Sequence, residues 1–209
     1  MPPLKEPTEV IGPVELPLSA DGVVEGFRLW LYRFDRQRYL VLTRGGPEES
    51  ERPLVRISSM CNFGHVWGSE YCDCRWQLEE SKRLIGGEGT GAIIFAFDHH
   101  GKGVGLENHY RVYSEGQKRG LELVVDAYEA LGFPEDARDY GEIAIILHCL
   151  RMSRIRLLTN SPKRIEALEQ AGIQVQRVPL EMPRTAYNSV ELAVKRRKLG
   201  HLLSAEWDA

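Results

Sequence analysis

The first third of the chain carries short apolar runs that are rich in β-branched and aromatic residues. These runs cover residues 23–34, 38–43 and 53–58, and a loop rich in glycine and glutamate lies between the last two, at residues 45–51. Such runs, separated by a loop of this kind, predict antiparallel strands. The preceding residues 1–20 are rich in proline and aperiodic, and they are predicted to form an extended N-terminal arm.

From about residue 76 onwards, segments with helical periodicity alternate with short apolar runs. The predicted helices cover residues 76–85, 106–116, 121–131, 140–152, 162–171 and about 189–203. The predicted strands cover residues 92–97, 154–158 and 173–178. Strands followed by alternating strands and helices are typical of an α/β fold. We therefore expect a single α/β domain over residues 21–209, with a mixed β-sheet whose N-terminal strands are antiparallel.

The composition is that of an ordinary globular protein. Of 209 residues, 43% are apolar and 27% are charged, and 27 Lys and Arg against 30 Asp and Glu give a net charge of −3. This balance favours neither a nucleic-acid nor a membrane partner, and the basic run at residues 195–198 is interpreted as a solvated helix face. No apolar run approaches the ~18 residues of a transmembrane helix and no signal peptide is evident, so we expect a cytoplasmic protein.

The cysteines are the first indication of chemistry. In a reducing compartment a metal-binding or catalytic role is expected for them rather than a disulfide. Cys61, Cys72 and Cys74 fall close together, and three thiolates favour zinc and leave a fourth position open, as in catalytic zinc sites. His65 lies between them and could close the site as a fourth ligand, and the spacing leaves both arrangements open. Cys149 lies in an apolar run and is predicted to be a core residue.

A strand end runs directly into a helix start near residue 160. Ser161 is a predicted N-cap, Pro162 suits the first helical position, and Gly172 suits the end of the helix. Free backbone N–H groups at such a start can bind an anion, which Lys163 and Arg164 would reinforce. Taken alone, the pattern favours an ordinary strand-to-helix turn.

Several motifs together resemble those of the GTP cyclohydrolase II family. The cysteine segment with Gln77 after it resembles the zinc segment of these enzymes. Further likenesses follow in the same order: Gly-Lys-Gly-Val-Gly-Leu at 101–106, Arg-Val-Tyr at 111–113, Asp-Ala-Arg-Asp-Tyr at 136–140, Arg-Leu-Leu-Thr-Asn-Ser-Pro-Lys at 156–163, Arg-Val-Pro-Leu at 177–180 and Gly-His-Leu-Leu at 200–203. Each motif is weak alone, but their order and spacing over about residues 14–203 are not an accident.

The resemblance implies a GTP cyclohydrolase II-like fold and a zinc-dependent hydrolase acting on GTP. Enzymes of this family hydrolyse C–N bonds of a cyclic amidine: they open the imidazole ring of guanine at C8 and release formate and pyrophosphate, in the first step of riboflavin synthesis. The resemblance also implies one Zn²⁺ per chain, Mg²⁺ with the triphosphate, and a homodimer. Zinc suits the chemistry because it lowers the pKa of bound water and polarises the atom under attack.

The resemblance also assigns roles to residues. The zinc ligands are Cys61, Cys72 and Cys74. Asp136 matches the family's proton acceptor and Tyr113 a tyrosine at the catalytic centre. Arg138 matches an arginine that acts at the α-phosphate, where stabilising charge suits it better than nucleophilic attack, because a guanidinium is not deprotonated in proteins. The predicted nucleotide contacts are Arg56, Gln77, His100, Gly101, Lys102, Thr159, Lys163 and Arg164.

Several positions depart from the family pattern: Val124 replaces a threonine, Arg164 replaces the usual lysine, and three further departures change the binding segments. Met60 stands where the family has a glutamate, and His100 and Lys102 stand where it has glutamate and arginine. Lysine keeps the charge but loses the bidentate fork, and His100 cannot accept guanine N–H groups as a carboxylate would. The alternative to a plain GTP cyclohydrolase II is therefore a specialised homologue, with another purine substrate or with a formamidopyrimidine intermediate as its product.

Two hypotheses from other classes make different predictions. A non-catalytic zinc module that binds nucleotides or a partner would use His65 as the fourth ligand. A redox protein using Cys72 and Cys74 would form a reversible disulfide and bind no zinc, but it leaves the phosphate-binding motifs unexplained. Of the remaining histidines, His99 and His100 at a strand end are expected to face the nucleotide, and His201 is expected to be structural.

Overall fold

The computed structural model describes residues 5–20, 22–120, 124–134 and 136–205. Within these ranges the strands form a seven-stranded sheet in the order β1-β2-β3-β5-β4-β6-β7. The strands are β1 Glu9–Ala20, β2 Val23–Arg33, β3 Arg38–Arg44, β4 Leu54–Ser59, β5 Gly91–Ala96, β6 Arg154–Leu158 and β7 Gln174–Val178. The helices are α1 Cys74–Glu88, α2 Leu106–Lys118, α3 Val124–Ala130, α4 Gly141–Cys149, α5 Pro162–Gln170 and α6 Ser189–Arg197.

The two halves of the sheet differ in strand direction. The pairs β1–β2, β2–β3 and β3–β5 are antiparallel, whereas β4–β5, β4–β6 and β6–β7 are parallel. Parallel neighbours need a crossover connection, and the helices supply it. The predicted mixed α/β fold with antiparallel N-terminal strands is confirmed.

The N-terminal segment predicted as an arm is extended, but it does not stand apart from the domain. Its described part contains β1, which pairs with β2 from Glu9 opposite Arg33 to Ala20 opposite Val23. The prolines made this strand hard to predict, because proline has no N–H group to donate to a neighbouring strand. An edge strand tolerates proline where its N–H side faces solvent. Residues 1–4 lie outside the described residues.

Both faces of the sheet are covered by helices and carry hydrophobic clusters. In β5, Ile94 joins a cluster with Val55 and Ile146 of α4, while its neighbour Ile93 joins a cluster on the other face with Ile85 of α1. Successive side chains of a strand point to opposite faces, so β5 contributes residues to both hydrophobic clusters. None of the described helices is long and apolar enough to span a membrane.

Two predictions need correction, one about the end of a helix and one about the burial of a cysteine. The last helix ends at Arg197 rather than near residue 203, because the chain turns back and the Leu202 N–H donates to the Asn160 carbonyl at 2.8 Å. Cys149 is exposed rather than part of the core, because it lies in the last turn of α4, beyond the buried stretch that ends at Leu147. In the predicted helix 121–131, residues 121–123 lie outside the described residues.

Candidate active site

Three parallel strands bring the site residues to one edge of the sheet. β4, β5 and β6 run in the same direction, and Cys61, His99 and Thr159 lie within three residues of their respective carboxyl ends. Ligand sites of open α/β sheets lie at this edge. All three residues line a cavity of about 560 Å³, which α2, α3 and α6 complete.

The three cysteines predicted to bind zinc form one cluster. Their sulfur atoms all lie within 4.8 Å of one another, and the Sγ atoms of Cys61 and Cys72 are 3.8 Å apart. Zinc–sulfur bonds of about 2.3 Å in a tetrahedron place sulfurs about 3.8 Å apart, so the cluster fits Zn²⁺. A Cβ on Gly64 would lie 2.9 Å from the Cys72 sulfur, so this turn requires glycine.

Without a cation, the buried thiols favour their protonated form. The hydrogen bond with Cys61 raises the pKa of Cys72, and burial adds to this, so that the pKa reaches about 12. A coordinated metal would lower the pKa of these thiols, because it displaces the proton from the sulfur. The cluster is therefore suited to a soft divalent cation rather than to free thiolates.

His65 does not lie in position to be a fourth ligand. Its Nδ1 accepts the Cys61 N–H at 3.1 Å, and its Nε2 lies 3.1 Å from the Cys74 carbonyl oxygen. Because Nδ1 is an acceptor, Nε2 carries the proton and donates to that carbonyl. Both ring nitrogens are thus engaged with the backbone, and the three-cysteine set leaves one tetrahedral position open.

A chain of hydrogen bonds runs from the cysteine segment to the last helix. The buried Asp73 accepts from Lys195 Nζ at 2.8 Å and from Gln77 Nε2 at 2.7 Å, and Gln77 Oε1 accepts from Arg56 at 2.5 Å. The side chain of Lys195 is 14% exposed, so the interpretation of residues 195–198 as a solvated face is wrong at this residue. A lysine is buried here because Asp73 and Glu191 both pair with it.

Asp136 and Arg138 form a bidentate pair. Arg138 Nε donates to Asp136 Oδ1 at 2.8 Å and Nη2 donates to Oδ2 at 2.6 Å. Burial alone would raise the pKa of Asp136, but the hydrogen bonds and charge of Arg138 outweigh it and lower that pKa. Arg138 lines the cavity, whereas Asp136 lies behind it.

The glycine loop before α2 presents Lys102 to the cavity. Gly101 has a φ of +55°, and a Cβ there would lie 2.7 Å from the His109 Cβ. Lys102 Nζ lies 5.0 Å from the centre of the Tyr128 ring. Burial lowers the pKa of Lys102 to about 8, so this cation gains from an anionic ligand.

Most of the residues predicted for the site meet at this cavity, and three do not. Asp136, His100 and Lys163 are absent from its wall: His100 stands beside the Phe97 ring and Lys163 is exposed. The predicted residues on the wall are Cys61, Cys72, Cys74, Tyr113, Arg138, Arg56, Gln77, Gly101, Lys102, Thr159 and Arg164.

The wall also contains residues that sequence reasoning missed or assigned elsewhere. His99 faces the cavity as expected, and His201, interpreted as structural, also lines it. Burial lowers the pKa of His99 to about 4, so its imidazole is neutral. Glu191 and Tyr128 were missed, because nothing in a helical pattern indicates which side chains border a cavity.

Comparisons with known proteins agree with the motifs. Residues 14–179 match the family model of GTP cyclohydrolase II. The riboflavin biosynthesis protein RibBA of Aquifex aeolicus (strain VF5) is 41% identical over 84% of this chain and 44% of the relative, so the chain spans less than half of that protein. The GTP cyclohydrolase-2 of Hahella chejuensis (strain KCTC 2396) is 40% identical over 83% of both proteins.

A solved structure also matches. It is RibBX, a two-domain 3,4-dihydroxy-2-butanone 4-phosphate synthase from A. baumannii, with 17% sequence identity and a TM-score of 0.40 over 83% of this chain and 41% of that one. At that score, nothing about the cavity follows from the likeness.

Proposed function

The chain belongs to the GTP cyclohydrolase II family, and on that premise we propose that it hydrolyses GTP. The proposed reaction opens the imidazole ring at C8 and releases formate and pyrophosphate, as a step of riboflavin synthesis. One zinc ion per chain, Mg²⁺ with the triphosphate, a homodimer and a cytoplasmic location are parts of the same proposal.

The observation that carries the proposal is the three-cysteine cluster in the wall of a cationic cavity. Cys61, Cys72 and Cys74 would hold the zinc ion, which supplies a Lewis acid and an activated water when bound. The same cavity presents Arg138 and Arg164. Hydrolytic opening of the purine ring needs a metal-activated water beside the base, and binding of the triphosphate needs several cations. The residues of this cavity suit both requirements.

The arginines suit the phosphate end of the substrate. Arg164 is buried beside the Tyr140 ring, and its Nε has no hydrogen-bond partner among the described residues. Arg138 is held by Asp136, so its guanidinium is oriented before the phosphates arrive. A pre-oriented cation stabilises charge that develops on a transferring phosphoryl group, and we assign Arg138 to the α-phosphate.

Proton transfer falls to Tyr113 and Asp136. Tyr113 lines the cavity, and burial raises the pKa of its phenol, which therefore stays protonated and can donate a hydrogen bond to the substrate. Asp136 is a carboxylate whose lone pairs are shared with Arg138. We assign the proton-acceptor role to Asp136 from the family resemblance, and in the structure the same carboxylate also orients Arg138.

A specialised homologue is the second candidate, and the position of Met60 favours it. Met60 lines the cavity next to Cys61, so an apolar thioether borders the metal cluster where the family has a carboxylate. Lys102 is on the wall as well, while His100 is not. This candidate would turn over another purine nucleotide or stop at a formamidopyrimidine product.

A panel of nucleotides tests the proposal. Zinc-loaded protein is incubated with GTP, ATP, CTP and UTP, and nucleotide consumption is followed by chromatography for the unmodified chain, for Cys61→Ser and for the exposed control Cys149→Ser. We expect the unmodified chain and the control to consume GTP, and Cys61→Ser to lose both zinc and turnover, because a hydroxyl is a poorer soft-metal ligand than a thiolate. Consumption of a purine nucleotide other than GTP would favour the specialised homologue, and no consumption of any nucleotide would refute an enzymatic role.

A further inference from the structure

Two acidic side chains, Asp73 and Glu191, lie on the described wall of the cavity. They differ in whether a carboxylate oxygen is still free to accept a hydrogen bond. Both carboxylate oxygens of Asp73 are engaged, by Lys195 and by Gln77. Glu191 receives Lys195 Nζ on Oε1 at 2.9 Å, while its Oε2 is buried and has no hydrogen-bond partner among the described residues. A buried acceptor without a donor is unfavourable, and native structures rarely leave one unless ordered water or a ligand supplies the donor.

The position of Glu191 on the wall is set by its partner. Lys195 Nζ bridges Glu191 and Asp73, and Asp73 lies in the chain between the ligands Cys72 and Cys74. Glu191 is therefore two ion-pair contacts away from the metal-binding segment. Because this carboxylate accepts hydrogen bonds and cannot donate any, we expect a nucleotide to bind with the N–H groups of its base, rather than its phosphate oxygens, towards Glu191.

We propose that Glu191 is a specificity-determining residue, whose carboxylate accepts the adjacent N1–H and 2-amino groups of a guanine base. The inference rests on the proposed function. Guanine carries these two donors side by side, whereas adenine has an acceptor at N1 and hypoxanthine lacks the 2-amino group. An ionised carboxylate offers about four acceptor positions, so Oε1 can accept a base N–H as well as Lys195, and Oε2 is free to accept the other.

The test compares GTP with ITP, which differs from it by the 2-amino group alone. The ratio of kcat/KM for GTP to kcat/KM for ITP is measured for the zinc-loaded unmodified chain, for Glu191→Ala and for Glu191→Gln. Glu191→Gln keeps the shape of the side chain, so it provides a second variant if Glu191→Ala does not fold. The control is Glu129→Gln on the exposed face of α3. A general loss of activity from a loosened Lys195 affects both substrates alike and cancels in the ratio.

We expect the unmodified chain and the control to prefer GTP by about tenfold to a hundredfold, the value of one hydrogen bond to a charged group. Glu191→Ala should bring the ratio close to one, and Glu191→Gln, which keeps one uncharged acceptor oxygen, should lower the ratio to a smaller extent. A chain that consumes GTP with a ratio that is unchanged by Glu191→Gln, or with no preference over ITP at all, overturns the inference and leaves the proposed function standing. A chain that consumes neither nucleotide overturns the proposed function and this inference with it.

Discussion

At the scale of single residues, two groups of charged side chains at the cavity are paired before any substrate arrives. Arg138 is bonded to Asp136 through two hydrogen bonds, and Lys195 is bonded to both Asp73 and Glu191. Separating such a pair would leave an uncompensated buried charge at a high cost in free energy, so each pair holds its side chains in place. Groups fixed in this way need little rearrangement to meet a substrate, and that lowers the cost of reaching a reactive geometry.

The Asp136–Arg138 pair makes a prediction about acid stability. The pKa of Asp136 is lowered by Arg138, so the pair contributes stability above the unfolded pKa and loses it as the pH falls through the folded pKa. We expect Asp136→Asn to lower the free energy of unfolding by about 2 kcal/mol at neutral pH. The difference between variant and unmodified chain should shrink below about pH 4, where urea unfolding measures it.

An exposed aspartate provides the control for this experiment. Asp35 pairs with Lys5, but its side chain is 58% exposed. Asp35→Asn should change the free energy of unfolding by less than about 1 kcal/mol at every pH. A difference for Asp136→Asn that stays constant down to about pH 2 would show that the Asp136 carboxylate is not paired in solution.

Gly101 supports a second prediction at this scale, because its backbone conformation and its neighbours both exclude a side chain. Its φ is +55°, and a Cβ would approach the His109 Cβ to 2.7 Å. We expect Gly101→Ala to destabilise the fold by about 1–3 kcal/mol and to reduce turnover by displacing Lys102.

Gly87→Ala is the matched comparison for that variant. Gly87 lies in α1, and beyond its chain neighbours and the adjacent backbone of that helix no atom of the described residues lies within 4 Å of the position that a Cβ would take. Alanine should therefore stabilise the fold by about 0.5–1 kcal/mol. Thermal unfolding separates the two substitutions. A Gly101→Ala chain as stable and as active as Gly87→Ala would mean that the loop is not built as the structure shows.

At the scale of elements, α6 is part of the wall of the cavity rather than an appendage. Glu191 and Lys195 are on its inner side, and Lys195 joins it to the cysteine segment through Asp73. The exposed part of the basic run cannot be distinguished from the buried part in the sequence, because both are simply lysine and arginine on a short helix. Burial of Lys195 follows from a carboxylate 122 positions away along the chain.

Lys195 is therefore expected to matter more than its neighbours on the basic run. Lys195→Met removes the partner of two buried carboxylates and should lower the free energy of unfolding by about 3–5 kcal/mol. Lys195→Arg, which keeps the charge, should recover part of this loss. Chemical denaturation gives the magnitude, and limited proteolysis near residue 190 reports whether α6 detaches first.

The control for Lys195 is a lysine with an exposed ion pair. Lys118 pairs with Glu115 at 3.0 Å, and its side chain is 68% exposed. Lys118→Met should cost less than about 1 kcal/mol. Equal losses for Lys118→Met and Lys195→Met would remove the evidence that α6 is fastened to the cysteine segment.

At the scale of the whole molecule, local patterns predicted the fold well, and the site less completely. The β-branched and aromatic runs of β2 to β4, the apolar run of β5 and the helical periods after residue 76 are local signals, so the mixed sheet could be predicted from them. Strand β1 could not, because its prolines conceal it and only its edge position makes them acceptable. Cys149 was misplaced because an apolar run does not say where the packing ends.

The site was predictable where residues lie in motifs and unpredictable where distant elements meet. The cysteine cluster was predicted from local spacing and from a family resemblance, and Arg138 from the resemblance alone. Glu191 and Lys195 belong to the site through contacts across the chain, which no local pattern contains. His100 matches a motif position, yet the turn of the loop places His99 on the cavity wall instead.

GTP that carries carbon-13 at C8 allows the proposed reaction to be followed at the atom where the ring opens. Zinc-loaded protein is incubated with this substrate, and carbon and phosphorus NMR follow the label and the phosphates together. We expect one labelled formate and one pyrophosphate for each GTP consumed, with neither formed by Cys72→Ser. Labelled carbon that stays in intact GTP, or that stops as a formyl group on a ring-opened nucleotide, would contradict the proposed hydrolysis.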